Sequence, residues 1–287
     1  MMTYFQLRFV NAWLVRIVGT LGVLACLLFA TPSHAADRAR IEAFLSVTGF
    51  DVALDSIAFA AGSAPDMLGL DPEEFGSDWS RLTEQVFDTE VMHEIALDIL
   101  EATLTDELLT HAAGFYATDL GQRLVVAENA SHSVADDTEQ QREGQGIVDE
   151  LAATDAPRLE IFKRMNRAID ASGNSLRALQ EIQMRFLMAA SAAGVIELQL
   201  DPDALRALLE AQEPEMRRAL ERSSLASSAY TYRDFTDADL LAYVEALEDP
   251  RMQRVYELLN AVQFEIMAGR FEVLAGRMAD LQPGQDI

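Results

Sequence analysis

After residue 37 the apolar residues fall three and four apart, the spacing of one face of an α-helix. Leu82 and Val86, then Val91, Ile95 and Ile99, recur at steps of four. Ile182, Phe186, Ala189 and Ala193 follow at steps of four, three and four, and Leu205, Leu208, Gln212, Met216 and Leu220 make another such face. No stretch sustains the apolar–polar alternation with β-branched enrichment that marks a half-buried strand. The expected fold class is all-α. Half of the 287 residues are hydrophobic, enough for a packed core and too many for a disordered chain.

Helix starts agree with the periodicity. Asp71-Pro72-Glu73 and Asp201-Pro202-Asp203 each offer an N-cap acid, a proline at the first helical position and an acid on the positive helix end. Thr105-Asp106-Glu107 is a third start, and Thr236-Asp237-Ala238-Asp239 is a capping-box variant. These starts come in pairs. Leu70-Asp71-Pro72-Glu73 matches Leu200-Asp201-Pro202-Asp203 at an offset of 130, and residues 104–130 match 235–261 at 131 without gaps. Thr105, Asp106, Leu109, Gln122, Arg123, Asn129 and Ala130 recur as Thr236, Asp237, Leu240, Gln253, Arg254, Asn260 and Ala261. Seven identities in 27 positions exceed the roughly two that average composition gives. The expectation is two tandem multi-helix units with a long C-terminal helix.

That last helix is predicted over Pro250 to about Leu281. Met252, Val255, Leu259, Val262 and Ile266 form one seam, and Met267, Phe271, Leu274, Met278 and Leu281 a second on a shifted face. Gly269 and Gly276 cost helix propensity of ~1 kcal/mol each relative to alanine, so close approach of a neighbouring backbone is expected at both. Ser131 to Thr154 is polar and acidic with Gly144 and Gly146, and reads as a junction; Gly62 to Gly69, with Pro65, reads as a loop. The resulting division is a signal peptide over 1–35, a helical unit over 36–133, an acidic polar junction over 134–154 and a second unit over 155–287.

The signal peptide rests on Arg8 and Arg16, no acid before Asp37, an uncharged and mostly apolar run from Ile17 to Ala30, and small residues in Ser33-His34-Ala35. The run of 14 residues falls short of the ~20 that a spanning helix needs. Val23-Leu24-Ala25-Cys26 is an alternative lipidation box, but Cys26 sits inside the run rather than at its end. Cleavage after Ala35 removes Cys26, the only cysteine, and leaves a chain without disulfide or thiol chemistry. It also removes two arginines and no acid, taking the net charge from −25 to −27. Such a charge disfavours nucleic acid, whose binding needs cations to displace counterions. Its plainest cause is acids coating solvated helix faces.

One segment carries a resemblance. The acid-rich start Thr105–Glu107, an apolar helix ending in Phe115-Tyr116 and then Thr118-Asp119-Leu120-Gly121-Gln122-Arg123-Leu124 resembles the domain-of-unknown-function family numbered 2059. That family comprises small helical domains of exported bacterial proteins, with a pattern of roughly Phe-Tyr-x-Ser-Pro-x-Gly-x-Lys. Phe115, Tyr116, Gly121 and Arg123 fit it; Thr118 stands for Ser, and Asp119 replaces Pro. In the second copy Pro250 keeps the proline and Arg254 the base, while Ala246-Leu247 and Met252 replace the aromatic pair and the glycine. The resemblance implies a helical envelope protein and no known activity. From the residues alone, Thr118 and Asp249 cap new helices, so each motif marks a helix–turn–helix corner with Phe115 and Tyr116 packed inside it.

Candidate chemistry is sparse. His93, His111 and His132 survive cleavage, no two of them within a helical turn of each other, and the residue four after His93 is Leu97, so no H-E-x-x-H exists. No G-x-S-x-G, S-x-x-K or P-loop occurs, and Lys163 is the one lysine. Asp234, Asp237 and Asp239 lack the glycine and spacing of a calcium loop. No catalytic, cofactor or metal residue is assigned, and no cofactor is expected. The expected function is a non-catalytic interaction module of the cell envelope in the periplasm, partnered by another envelope protein or by itself, with no nucleic acid and no transmembrane span after cleavage. The alternative is a binding module for a lipid or other apolar small molecule, with the methionine- and alanine-rich stretch Met184 to Ala193 lining a cavity. N-terminal sequencing of envelope material is expected to begin at Ala36 or Asp37; a chain that still carries Trp13 refutes cleavage.

Overall fold

The structure is a computed structural model that describes residues 37–69 and 76–281; the expected signal peptide and the Asp71-Pro72 helix start lie outside them. The described residues are all-α and contain no strand. The helices are α1 (Arg38–Thr48), α2 (Phe50–Asp55), α3 (Ala64–Leu68), α4 (Gly76–Val86), α5 (Thr89–Thr103), α6 (Asp106–Tyr116), α7 (Asp119–His132), α8 (Thr138–Ala153), α9 (Pro157–Ile169), α10 (Ser175–Ala192), α11 (Pro202–Thr231), α12 (Asp237–Leu247) and α13 (Pro250–Met278). Single 3₁₀ segments follow α2 (Ser56–Ser63) and α13 (Ala279–Leu281). No single helix among them is long and apolar enough to cross a membrane.

The caps sit where short polar side chains precede apolar periodicity. Thr105 accepts from the Leu108 amide (3.4 Å), Thr118 from Gly121 (3.1 Å), Asp201 from Ala204 (2.8 Å) and Asp249 from Arg251 (2.8 Å). Thr236 forms the full capping box with Asp239. Each bond satisfies an amide that the helix itself leaves open.

The long last helix is the spine. Its first seam, Met252, Val255, Leu259, Val262 and Ile266, is buried throughout, and so are Phe271, Leu274 and Met278 of the second. The second seam docks within the chain: Phe271 meets Phe87 and Phe186 edge to face, with centroids 5.6 and 5.1 Å apart. Arg185 of α10 bonds Glu272 through two 2.8 Å contacts, and α4, α5 and α6 pack on the same spine. One hydrophobic core therefore runs from Ile41 to Met278.

Several expectations change. The polar stretch read as a junction is mostly helix α8, and Gly144 packs directly on α11: a Cβ there would stand 2.1 Å from the Ala226 carbonyl oxygen. Gly62 to Gly69, read as a loop, is crossed by the end of the 3₁₀ segment and α3. Gly269 and Gly276 face open space, with no neighbouring atom within 4 Å of where a Cβ would stand, so the close approach expected at them does not occur. On α11 Leu205 and Leu209 are buried rather than Leu208 and Gln212, none is buried between 210 and 225, and burial resumes at Ala226, Ser228 and Ala229.

The two stretches matched at the 131-residue offset share a local helix–corner–helix form. α6 and α12 are both 11 residues long, and Thr118 and Asp249 cap the next helix at the same offset. Leu109 and Leu240 are buried in equivalent places, as are Leu124 and Val255. Upstream the helix order differs. α4 and α5 precede the first corner, broken at Phe87-Asp88, whereas one 30-residue helix precedes the second. Gly144→Ala is expected to cost about 1–3 kcal/mol through overpacking, while Gly269→Ala gains up to ~1 kcal/mol of helix propensity. Denaturant titration of the two variants separates them by sign.

Candidate functional site

Where the first corner meets the second, a polar cluster lies at the edge of the core, with Tyr116, Tyr232 and Tyr243 buried and Glu128 and Tyr256 half-buried. It begins with Gly121. A Cβ at this position would fall 2.5 Å from the Phe115 carbonyl oxygen and 2.6 Å from the Tyr116 Cα, so only glycine lets α7 leave α6 this tightly. Thr118 donates to the Phe115 carbonyl (2.7 Å) and Gln122 to that of Tyr116 (2.7 Å), which closes the last turn of α6. The corner turns Gly121, Leu124 and Val125 inward. Glu128 follows them on the same face, one turn after Leu124.

Glu128 meets tyrosines from the other half of the chain. Its Oε1 accepts hydrogen bonds from Tyr232 at the end of α11 (2.6 Å) and Tyr243 of α12 (3.0 Å). Tyr256 of α13 bonds the Tyr243 hydroxyl at 2.9 Å, and Tyr116 bonds Tyr256. Phe115 stacks on the Tyr243 ring with centroids 5.8 Å apart and planes at 6°. The expected packing of Phe115 and Tyr116 inside the corner is thus found, but the Tyr116 hydroxyl also joins the polar cluster.

These groups line a pocket of about 240 Å³ that is partly open to solvent. Its apolar wall includes Phe50, Ala53, Ile169, Val255 and Leu259, and His132 stands at it one turn beyond Glu128. Gly49 also lines the pocket: its φ of +73° ends α1, and the helix axis turns by 83° there. No described arginine or lysine lines the pocket, and Glu128 forms no ion pair among the described residues. Arg123 points away, to Asp239 (2.7 Å) and the face of Phe235.

Desolvation raises the Glu128 carboxyl above the ordinary range; the bonds from Tyr232 and Tyr243 oppose that shift without cancelling it. Desolvation, reinforced by the nearby Glu128 charge, also holds the Tyr116, Tyr232, Tyr243 and Tyr256 phenols well above their usual value, so all four stay protonated at neutral pH. His132 is exposed as a residue, yet protein around its ring lowers its pKa by desolvation.

Of the remaining candidates, His93 pairs with Asp55 at 2.9 Å and His111 with Asp249 at 3.5 Å, far apart in the helix order. Met184 to Ala193 does not line this pocket. Met184 packs with Leu205 and Leu209 in a small separate cluster, and Phe186 and Ala190 enter the main core. Sequence reasoning passed over Glu128. The one signal for it was its place on the inward face, where the 131-residue offset puts Leu259 in the second corner.

Residues 90–150 match the model of a family described as an uncharacterized protein conserved in bacteria, DUF2059. The matched stretch runs from α5 into α8 and holds Tyr116, Gly121 and Glu128, while Tyr232, Tyr243 and Tyr256 come from outside it. No curated protein and no solved structure gives a significant match to the chain.

The raised Glu128 carboxyl has a definite sign in stability. Above its folded-state pKa the ionised group destabilises the fold, and the cost disappears as pH falls toward the unfolded value near 4.5. Wild type is therefore expected to gain stability relative to Glu128→Gln between pH 8 and pH 4.5, read as the difference between two series of denaturant titrations. A difference that stays flat across that range refutes a strained carboxylate.

Proposed function

We propose that this chain is an exported, non-catalytic helical protein of the bacterial envelope that holds a small, largely apolar molecule in the pocket beside Glu128. The observation that carries the proposal is the pocket itself: an apolar wall with a few convergent polar groups is the usual form of a small-molecule site. Its volume of about 240 Å³ lies just under the ~300–1,000 Å³ range of such sites, which calls for a small occupant. Export is supported by the N-terminal charge and apolar run, and the envelope address by the character of the resembled family. The non-catalytic part is supported by how the pocket groups are engaged. The phenols stay protonated, and the Thr48 hydroxyl donates to the Phe44 carbonyl of its own helix at 2.9 Å.

A second reading, an interaction module for another envelope protein, is favoured by the stretch of α11 between 210 and 225, in which no residue is buried. One measurement addresses both. Native mass spectrometry of the protein purified from envelope material is expected to show a retained small molecule that is lost in Ala53→Leu, whose larger side chain fills the pocket. Bare chain mass in both forms counts against the pocket reading. A co-purified protein retained equally by both forms supports the interaction module instead.

A further inference from the structure

We infer that the pocket's occupant is a cation: a small molecule carrying a protonated amine on an alkyl or aryl body, with its N–H groups against Glu128. This rests on the pocket reading above and assigns the chemical class that the pocket accepts.

Donor and acceptor counting comes first. A phenol has one O–H to give. Tyr232 and Tyr243 give theirs to Glu128 Oε1. The contacts among Tyr116, Tyr243 and Tyr256 are then supplied by the Tyr116 and Tyr256 protons, each of which has a hydroxyl of the cluster to donate to. Every phenolic proton is engaged within the cluster, and the order of donation ends on the carboxylate. What the cluster still offers is acceptors: phenol lone pairs and Glu128 Oε2, to which no described side chain donates. An incoming acceptor meets no free phenolic donor and finds side-chain N–H groups only on Asn260, Gln263 and His132 among the described lining residues, while an anion meets like charge at Glu128. A hydrogen-bonding cation meets what it needs, and aromatic rings beside it add favourable electrostatics.

Charge points the same way. A carboxylate drawn out of water is costly unless a counter-charge stands beside it. Here two neutral hydroxyls are its partners, and no described arginine or lysine lines the pocket to supply the cation. His132, the other titratable group of basic type at the pocket, has its charged form disfavoured by desolvation. The ammonium of a ligand fills the missing role. The strongly acidic chain, at −25 overall, also raises the local concentration of cations.

Packing alone does not call for an acid at this position, although Tyr232 and Tyr243 donate to the one that is there. At the 131-residue offset Leu259 takes the equivalent place on α13, buried to 6% exposure, and the helix packs normally there. A leucine satisfies the corner, so the glutamate supplies something that packing does not. The apolar wall of Phe50, Ala53 and Val255 then receives the hydrocarbon body of the ligand, and the pocket volume limits its size.

The test uses the mature full-length protein and three matched probes, 2-phenylethylamine, 2-phenylethanol and phenylacetate, titrated by calorimetry at pH 8. The amine is expected to bind at least tenfold more tightly than the alcohol, and phenylacetate more weakly than either. Glu128→Gln keeps the shape and an acceptor oxygen but removes the charge; it should cut amine affinity at least tenfold and move alcohol affinity less than threefold. Equal affinity of wild type for amine and alcohol, or no amine binding, overturns the cation assignment, and this selectivity is readable even if the variant fails to fold. Amine affinity unchanged in a folded Glu128→Gln overturns it as well. If the alcohol binds wild type, is lost in Ala53→Leu and shows no deficit against the amine, the pocket reading survives and the cation assignment fails.

Discussion

The burial of α13 on both of its seams is the contact on which the rest of this architecture hangs. A helix of 29 residues with apolar side chains on two faces has no stable place at a surface. It must be enclosed, and here α4, α5, α6 and α10 do so from both halves of the chain. Because α12 and α13 form one capped corner and α6 and α7 another, enclosing the spine brings the two corners together. Tyr256 leaves the spine where Tyr116 leaves α6, and the pocket forms at their meeting. The geometry at Glu128 is thus a by-product of long-range packing, and no short segment could produce it alone.

This dependence decides what could be read in the chain beforehand. The helix starts at Thr105, Thr118, Asp201, Thr236 and Asp249 were legible because a cap is a local event, set by one side chain and an amide two or three residues on. The extent of α13 and its two seams followed from periodicity alone. Gly144 and Gly269 were not legible. A glycine in a helix looks the same in sequence whether a neighbouring carbonyl lies against it or solvent does, and the structure reverses the expected assignments. Glu128 failed for a related reason. A charged residue in a helix is ordinarily solvated, and its inward position is betrayed only by Gly121, Leu124 and Val125 beside it and by Leu259 at the matching offset. Its four phenolic neighbours come from four different helices or helix ends, a convergence that spacing does not encode.

Energetically the cluster stands between two costs. A phenol buried without a partner loses a hydrogen bond that water had supplied, and a carboxylate buried without a cation loses hydration. Bringing them together removes the first cost for every hydroxyl and lessens the second for the carboxylate. Such a network also sets register, since Tyr232, Tyr243 and Glu128 bond only when the two corners sit at one height. Replacing the set by apolar side chains would keep the packing and lose both the register and the polar surface facing the pocket.

Pro214 gives α11 a further property. It lies inside the 30-residue helix, where it cannot donate to the carbonyl one turn earlier, and none of residues 210 to 225 is buried. The two ends of the helix are held independently. Leu205 and Leu209 anchor one against α10, while Ser228 donates to Asn166 of α9 at 2.7 Å at the other. No side chain of the span around the proline is itself buried, so local opening there would draw less apolar surface into water than opening either anchored end. A cut in this span would separate two lengths of chain that other helices still hold, Leu205 and Leu209 through α10 and Ser228 through α9.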